Sequence, residues 1–255
     1  MRRPLAHDIE GAGPPVVLLH PVGLDRATWW SLSASLAKDF TVVSCDLPGH
    51  GDTPRLQESA IMADYAAAVV ALIEHLGLGP VVLLGESFGG MIAQTVAVEA
   101  PQHVRALIAV ACPARVPLEA RQVLAARGKV AQEGGMQAVL QDTLQRWFSP
   151  DLMADPAVQA VAERLLSDDV EGWAAAWLAM SQFDIVSRLS LIAVPTLCVA
   201  GGKDVSAPVS VMKVIAEGVS GAEFTIIPDA PHMLHIEYPR EFDNAVRSFL
   251  MSLRR

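Results

Sequence analysis

Ser87 stands in Gly85-Glu86-Ser87-Phe88-Gly89-Gly90, an arrangement able to turn an ordinary hydroxyl into a nucleophile. Gly-x-Ser-x-Gly follows the aliphatic run Val81-Val82-Leu83-Leu84 and precedes the apolar run Met91 to Ala100. It reads as a buried strand turning sharply into a helix with the serine at the apex. The turn needs residues without a Cβ, because strand and helix pass close together there, and its strain holds the oxygen clear of the sheet. The plainer alternative is a turn serine with no chemistry. A serine hydroxyl is a poor nucleophile near neutral pH, so catalysis also demands a base to take its proton and an acid to hold that base in the right tautomer.

Those partners must be delivered by neighbouring elements, and the chain alternates strands with helices. Ala6 to Glu10 reads as an edge strand, and Val16 to Leu19 as the first central one, ending in His20-Pro21-Val22-Gly23. A helix around Trp29 to Leu36, a strand at Thr41 to Cys45, a turn-rich loop Asp46 to Pro54 and a helix at Ala63 to Leu76 follow. Beyond the elbow come a strand at Val104 to Val110 and, later, a strand at Ile192 to Ala200, a helix at Ala207 to Glu217, a strand at Glu223 to Ile227 and a closing helix at Pro239 to Leu253. Strand and helix in repetition imply a mostly parallel sheet flanked by helices, the α/β class. From Pro113 to about Leu191 only helical periodicity is visible: Leu118 to Lys129, Met136 to Phe148, Pro156 to Leu166 and Glu171 to Phe183. The expected organisation is a core of residues 1–112 and 191–255 with an inserted helical cap, residues 113–190.

Composition narrows the function classes. The chain has 255 residues, 52% hydrophobic and 18% charged, which suits one large α/β domain and excludes a disordered chain. Its apolar runs are too short to span a bilayer, so no membrane partner is expected. Met1-Arg2-Arg3 is basic, but His7, Asp8 and Glu10 stand where a signal peptide would be apolar; a cytoplasmic protein is expected. Cys45, Cys112 and Cys198 lie far apart, without the spacing of a zinc site or a disulfide framework. They read as small buried residues. A net charge of −9 argues against nucleic acid, which leaves a small-molecule substrate as the expected partner. Nothing in the pattern sets the oligomeric state.

Five motifs in order give a resemblance over essentially the full length. They are His20-Pro21-Val22-Gly23, Asp46-x-Pro48-Gly49-His50-Gly51, the elbow with Gly90, Val194-Pro195-Thr196 leading to Gly201-Gly202-Lys203-Asp204, and Pro231-His232 followed by Glu237-x-Pro239. On these the chain resembles the α/β-hydrolase superfamily. The resemblance implies the α/β-hydrolase fold and a triad in the order Ser87, Asp204, His232, with acid and base after strand ends. The alternatives are a turn aspartate capping the Ala207 helix and a loop histidine. Asp229 competes with Asp204, but it stands three residues before His232 and is read as shaping the loop. His235 fails the pattern of His, four residues, then Glu-x-Pro that His232 satisfies, and Pro231 departs from the glycine often found there. The oxyanion donors implied are the N–H groups of Phe88 and Val22; Pro21 has none to offer. His20 and His50 are read as braces for their loops; Glu86 is read as hydrogen-bonding behind the elbow, the alternative being that it tunes the serine's environment. Neither a metal nor a cofactor is implied.

The cap carries Trp147, Phe148, Met153, Trp173, Trp177, Met180 and Phe183, a set suited to a lid over an apolar pocket, although packing is the ordinary fate of such residues. Trp147, Trp173 and Trp177 are the candidates for substrate contact, and Arg146 and Arg188 could meet a substrate carboxylate, although exposure is the commoner fate of an arginine. Within the superfamily the chain is similar to 3-oxoadipate enol-lactone hydrolases, on the cap length, Glu171-Gly172-Trp173, Asp184 and Leu189-x-x-Ile192-x-Val194-Pro195-Thr196. The reaction expected is cleavage of a small carboxylic ester or lactone through an acyl-serine. A carbon–carbon bond hydrolase or a cofactor-free perhydrolase would use the same triad. A non-catalytic receptor on the same scaffold is the alternative of another class.

Overall fold

Short β-branched and aliphatic runs form strands in a computed structural model that describes residues 4–254. They are β1 (His7–Glu10), β2 (Pro15–Leu19), β3 (Thr41–Cys45), β4 (Val81–Glu86), β5 (Val104–Val110), β6 (Thr196–Gly201) and β7 (Glu223–Ile227). The helices are α1 (Trp30–Leu36), α2 (Met62–His75), α3 (Phe88–Glu99), α4 (Leu118–Gly134), α5 (Gln137–Trp147), α6 (Pro156–Leu166), α7 (Val170–Ser181), α8 (Val209–Gly218), α9 (Leu234–Glu237) and α10 (Pro239–Ser252). Met1-Arg2-Arg3 lies outside the described residues.

The strands form one sheet in the order β1-β3-β2-β4-β5-β6-β7. Every neighbouring pair is parallel except β1 with β3. From β2 the chain steps outward to β3, then returns to the other side of β2 to lay down β4. Open parallel sheets leave a crevice at such a reversal, beyond the carboxyl ends of the strands. The loop after β2 and the elbow after β4 both open there.

Alternation along each strand builds two apolar layers. Val17, Leu19 and Leu83 pack with Val69 and Leu72 of α2 and Ile92 and Val96 of α3. Val16, Leu18, Val82 and Leu84 face the other way, toward Trp29, Leu36, and Phe242, Val246 and Phe249 of α10. Both faces of the central strands are therefore covered, which is why they read as continuous hydrophobic runs.

Helices α4 to α7 leave the sheet after β5 and return before β6. The outgoing and returning chains pair at the neck: Arg115 bridges Asp184, Val116 N donates to Phe183 O at 2.8 Å and Ile185 N to Ala114 O at 2.9 Å. Sequence placed a strand at Ile192 to Ala200, but β6 begins at Thr196. Pro195 has no N–H to give the ladder, though its carbonyl accepts from Leu107 N, and buried Ile192 packs into the core behind a 3-10 turn at Val186–Leu191. Helix α8 likewise starts after Pro208 and not at Ala207, whose amide is committed to Asp204. Among the described residues no helix is long and apolar enough to cross a membrane.

Candidate active site

Ser87 sits between β4 and α3 with φ 53° and ψ −114°, a left-handed backbone that costs a non-glycine residue about 1–3 kcal/mol. The surroundings hold it there. Ser87 N donates to Val110 O at 2.9 Å and Ser87 O accepts from Met91 N at 3.0 Å. A Cβ on Gly85 would collide with the backbone of Gly89 and Gly90, and one on Gly89 with the carbonyls of Leu19 and His20. The small residues of the motif thus let the elbow lie against the end of β2.

The structure brings the three sequence candidates together. His232 Nε2 is 3.0 Å from Ser87 Oγ, and His232 Nδ1 is 2.8 Å from Asp204 Oδ2. The second Asp204 oxygen accepts from Ser206 N at 2.7 Å and Ala207 N at 2.9 Å. Burial alone would raise the Asp204 carboxyl, but the charge and hydrogen bond of His232 and these two amides carry it below its usual range. Burial pulls the other way on His232, and Asp204, with a further contribution from Glu86, lifts the imidazole above its ordinary value. Asp229, the competitor, pairs with Lys203 at 2.8 Å on the exposed side of the loop.

Val22 lines the same cavity as Ser87 and His232, and Phe88 follows the serine as the first residue of α3. Neither N–H donates to a backbone carbonyl among the described residues; at the first turn of a helix such donors have no intrahelical partner. His20 fixes the loop that carries Val22. Its Nδ1 donates to Pro21 O at 2.7 Å and its Nε2 accepts from Leu47 N at 2.9 Å, so it bridges the loops after β2 and β3. Burial, with His50 alongside, keeps it neutral. His50 is also enclosed, its Nδ1 3.2 Å from Pro48 O.

Above these groups lies a cavity of about 250 Å³ lined by Ser87, His232, Val22, Met180, Trp147 and Trp177, among others. A second groove, about 340 Å³, is lined by Arg55, Lys129 and Glu171 and contains none of the three. Trp173 does not line the cavity as sequence expected. It is fully buried, wedged against Gly23 with its ring 5.6 Å from that of Trp177, and it packs where it was expected to bind. Arg188 takes the commoner fate of an arginine: it is exposed, outside the cavity, and pairs with Glu99 at 3.1 Å.

Arg127, which sequence reading passed over, lines the cavity beside Arg146. Its guanidinium lies 4.7 Å from the ring centre of Trp177. Arg127 Nη1 reaches Asp142 at 2.6 Å and Nη2 reaches Thr143 Oγ1 at 3.0 Å. Arg146 shares the same Asp142 carboxylate at 3.1 Å. Two cations therefore face one anion. Burial lowers the Arg127 guanidinium from its ordinary value by more than Asp142 raises it, and its Nε is buried without a hydrogen-bond partner. The signal was available in principle: Arg127 and Trp177 both fall on the inner faces of cap helices, but only their pairing shows it.

The chain matches a family profile described as alpha/beta hydrolase fold over residues 14–239. It is 28% identical to (E)-2-((N-methylformamido)methylene)succinate hydrolase of Acinetobacter baylyi, over 96% of this chain and 94% of that protein. It is 25% identical to 3-oxoadipate enol-lactonase 2 of the same organism, over 93% and 88%. Among solved structures, the enol-lactonase from Burkholderia xenovorans LB400 superposes with a TM-score of 0.92 at 27% identity, over 97% of this chain and 96% of that one. With the sheet order, the elbow and these likenesses agreeing across nearly the whole length, the chain belongs to the alpha/beta hydrolase fold family, as a hydrolase.

Proposed function

We propose that this chain cleaves a small carboxylic ester or lactone through an acyl-serine on Ser87, and that the substrate carries a carboxylate. The observation behind the reading is the continuous chain Ser87 Oγ, His232, Asp204 at 3.0 and 2.8 Å, opening into a mostly apolar cavity. His232 Nε2 takes the hydroxyl proton as Oγ attacks the carbonyl carbon. Negative charge on the tetrahedral oxygen is met by the Val22 and Phe88 N–H groups. Collapse breaks the bond to the leaving oxygen, which receives the proton from His232. Water, activated by the same imidazole, then releases the acid. Asp204 keeps the Nδ1–H tautomer and stabilises the imidazolium in both halves.

The helical segment 113–190 serves as a cap that excludes bulk water from the cavity. Its Arg127 and Arg146, two cations against Asp142, supply net positive charge for the substrate carboxylate. The names of two relatives carry succinate and oxoadipate, both carboxylates, and 3-oxoadipate enol-lactone is the named candidate. A panel of esters, lactones and thioesters, each with and without a free carboxylate, tests the reading against Ser87→Ala. Ser87-dependent turnover favouring carboxylate-bearing esters or lactones supports it, whereas equal rates with and without the carboxylate reject the substrate class. Full turnover by Ser87→Ala rejects the mechanism.

A further inference from the structure

Glu86, beside the nucleophile, is an expensive residue where it stands. Strand alternation puts its side chain on the face of Val82 and Leu84, in the apolar layer with Trp29, Leu234 and Phe242, and it is 0% exposed. A carboxylate in such a place is costly unless a cation meets it, and an aliphatic side chain would fit the layer without that cost. The nearest polar group is His235, 5% exposed, whose Nδ1 lies 2.5 Å from Glu86 Oε2. The other ring nitrogen, Nε2, is 2.7 Å from Thr28 Oγ1, and the ring packs beside Trp29 and Phe242.

This string joins the segments that bear the reactive groups. Glu86 precedes Ser87 by one residue. His235 follows His232 by three, in the first turn of α9. Thr28 lies in the 3-10 turn reached from the loop of Val22. Nucleophile, base and oxyanion donor are thus tied together from behind by one buried polar contact chain. Other titratable groups facing this region are Asp204 against His232 and the thiol of Cys112, which feels the Glu86 charge. Arg127 and Arg146 approach only from the cavity side.

We propose that Glu86 is a positioning residue for the triad: in contact with His235, it fixes the elbow to the His232 loop and places a second negative charge, after that of Asp204, near the His232 imidazolium. The proposal rests on the acyl-serine reading above and adds to it an electrostatic role that packing alone does not provide. A carboxylate near the imidazole favours its charged form, so removing the charge makes His232 lose its proton at lower pH.

The test is the pH profile of kcat/KM for a simple p-nitrophenyl ester in wild type, Glu86→Gln and Glu86→Leu, with fluorophosphonate labelling of Ser87 to count competent sites. Glu86→Leu serves because an apolar residue suits the layer even if an unpaired amide does not. The acid limb is expected to move to lower pH by about half a unit to one unit in either variant, with a fall in kcat larger than any change in KM. An unmoved acid limb in a folded, labelled variant overturns the proposal while leaving Ser87 chemistry standing. Failure of both variants to fold also overturns it, assigning the pair to stability. Turnover that survives Ser87→Ala removes the acyl-serine reading and the proposal with it.

Discussion

Asp204 and His232 are joined at 2.8 Å by a bond that uses only one carboxylate oxygen, the other being filled by the Ser206 and Ala207 amides. The acid is therefore locked in direction before the imidazole arrives, and the imidazole must present Nε2 to Ser87. An amide at this position keeps the shape but can turn its NH₂ toward Nδ1, which favours the wrong tautomer. Asp204→Asn is expected to lower kcat by about 10³- to 10⁴-fold with a much smaller change in KM. Steady-state kinetics on an ester check it; a kcat within about tenfold of wild type would show that Asp204 does not orient the base.

The same pair sets the pH dependence. In the proposed mechanism His232 must be neutral to accept the serine proton, and its proton is held more tightly than in a free imidazole because Asp204 and Glu86 favour the charged ring. Rising pH removes that proton, so kcat/KM rises with pH along an acid limb centred above the ordinary imidazole value of about 6.5. The profile of kcat/KM reports the free enzyme and is the right measurement. A limb centred below that value would contradict the arrangement of charges.

Arg127 gives a prediction about selectivity. Its Nε has no hydrogen-bond partner, and Asp142 is shared with Arg146, so a substrate carboxylate would find a donor already oriented by Thr143 and the Trp177 face. A hydrogen bond to a charged group contributes about 1.5–3 kcal/mol, so Arg127→Gln should cost about 10- to 100-fold in kcat/KM on a carboxylate-bearing ester. The corresponding methyl-capped substrate should lose about threefold or less. Parallel losses on both substrates would assign Arg127 to holding the cap together.

The elbow was legible because its glycines and aliphatic strand are local, and the order of strands and helices followed from periodicity. Distances across the chain were harder. The pattern around His232 separated it from His235, yet nothing local shows that His235 lies against Glu86, since that contact joins β4 to a turn almost 150 residues away. Trp173, Trp177 and Arg188 looked alike as cap residues; which faces the cavity depends on how α4 and α7 pack, and that is a tertiary matter. Pro195 moved the start of β6 by the donor it lacks, and α8 starts only after Pro208 because the Ala207 amide is taken by Asp204.

Trp173 and Trp177 offer a way to separate packing from substrate contact in one helix. They stand four residues apart on α7 with ring centres 5.6 Å apart, yet only Trp177 reaches the cavity. Trp173 is fully buried against Gly23, at the end of the loop that carries Val22. Truncating it opens a void that close-packed surroundings cannot fill, so Trp173→Ala should destabilise the fold by about 3–5 kcal/mol. Trp177 is only partly buried and lies beneath the Arg127 guanidinium, so Trp177→Ala should cost less stability and raise KM for the carboxylate substrate, because the cation loses its platform. Denaturant melts and kinetics per labelled Ser87 site read the two effects independently. A Trp173→Ala variant of undiminished stability, or a Trp177→Ala variant with unchanged KM, would reverse the assignment of these two rings.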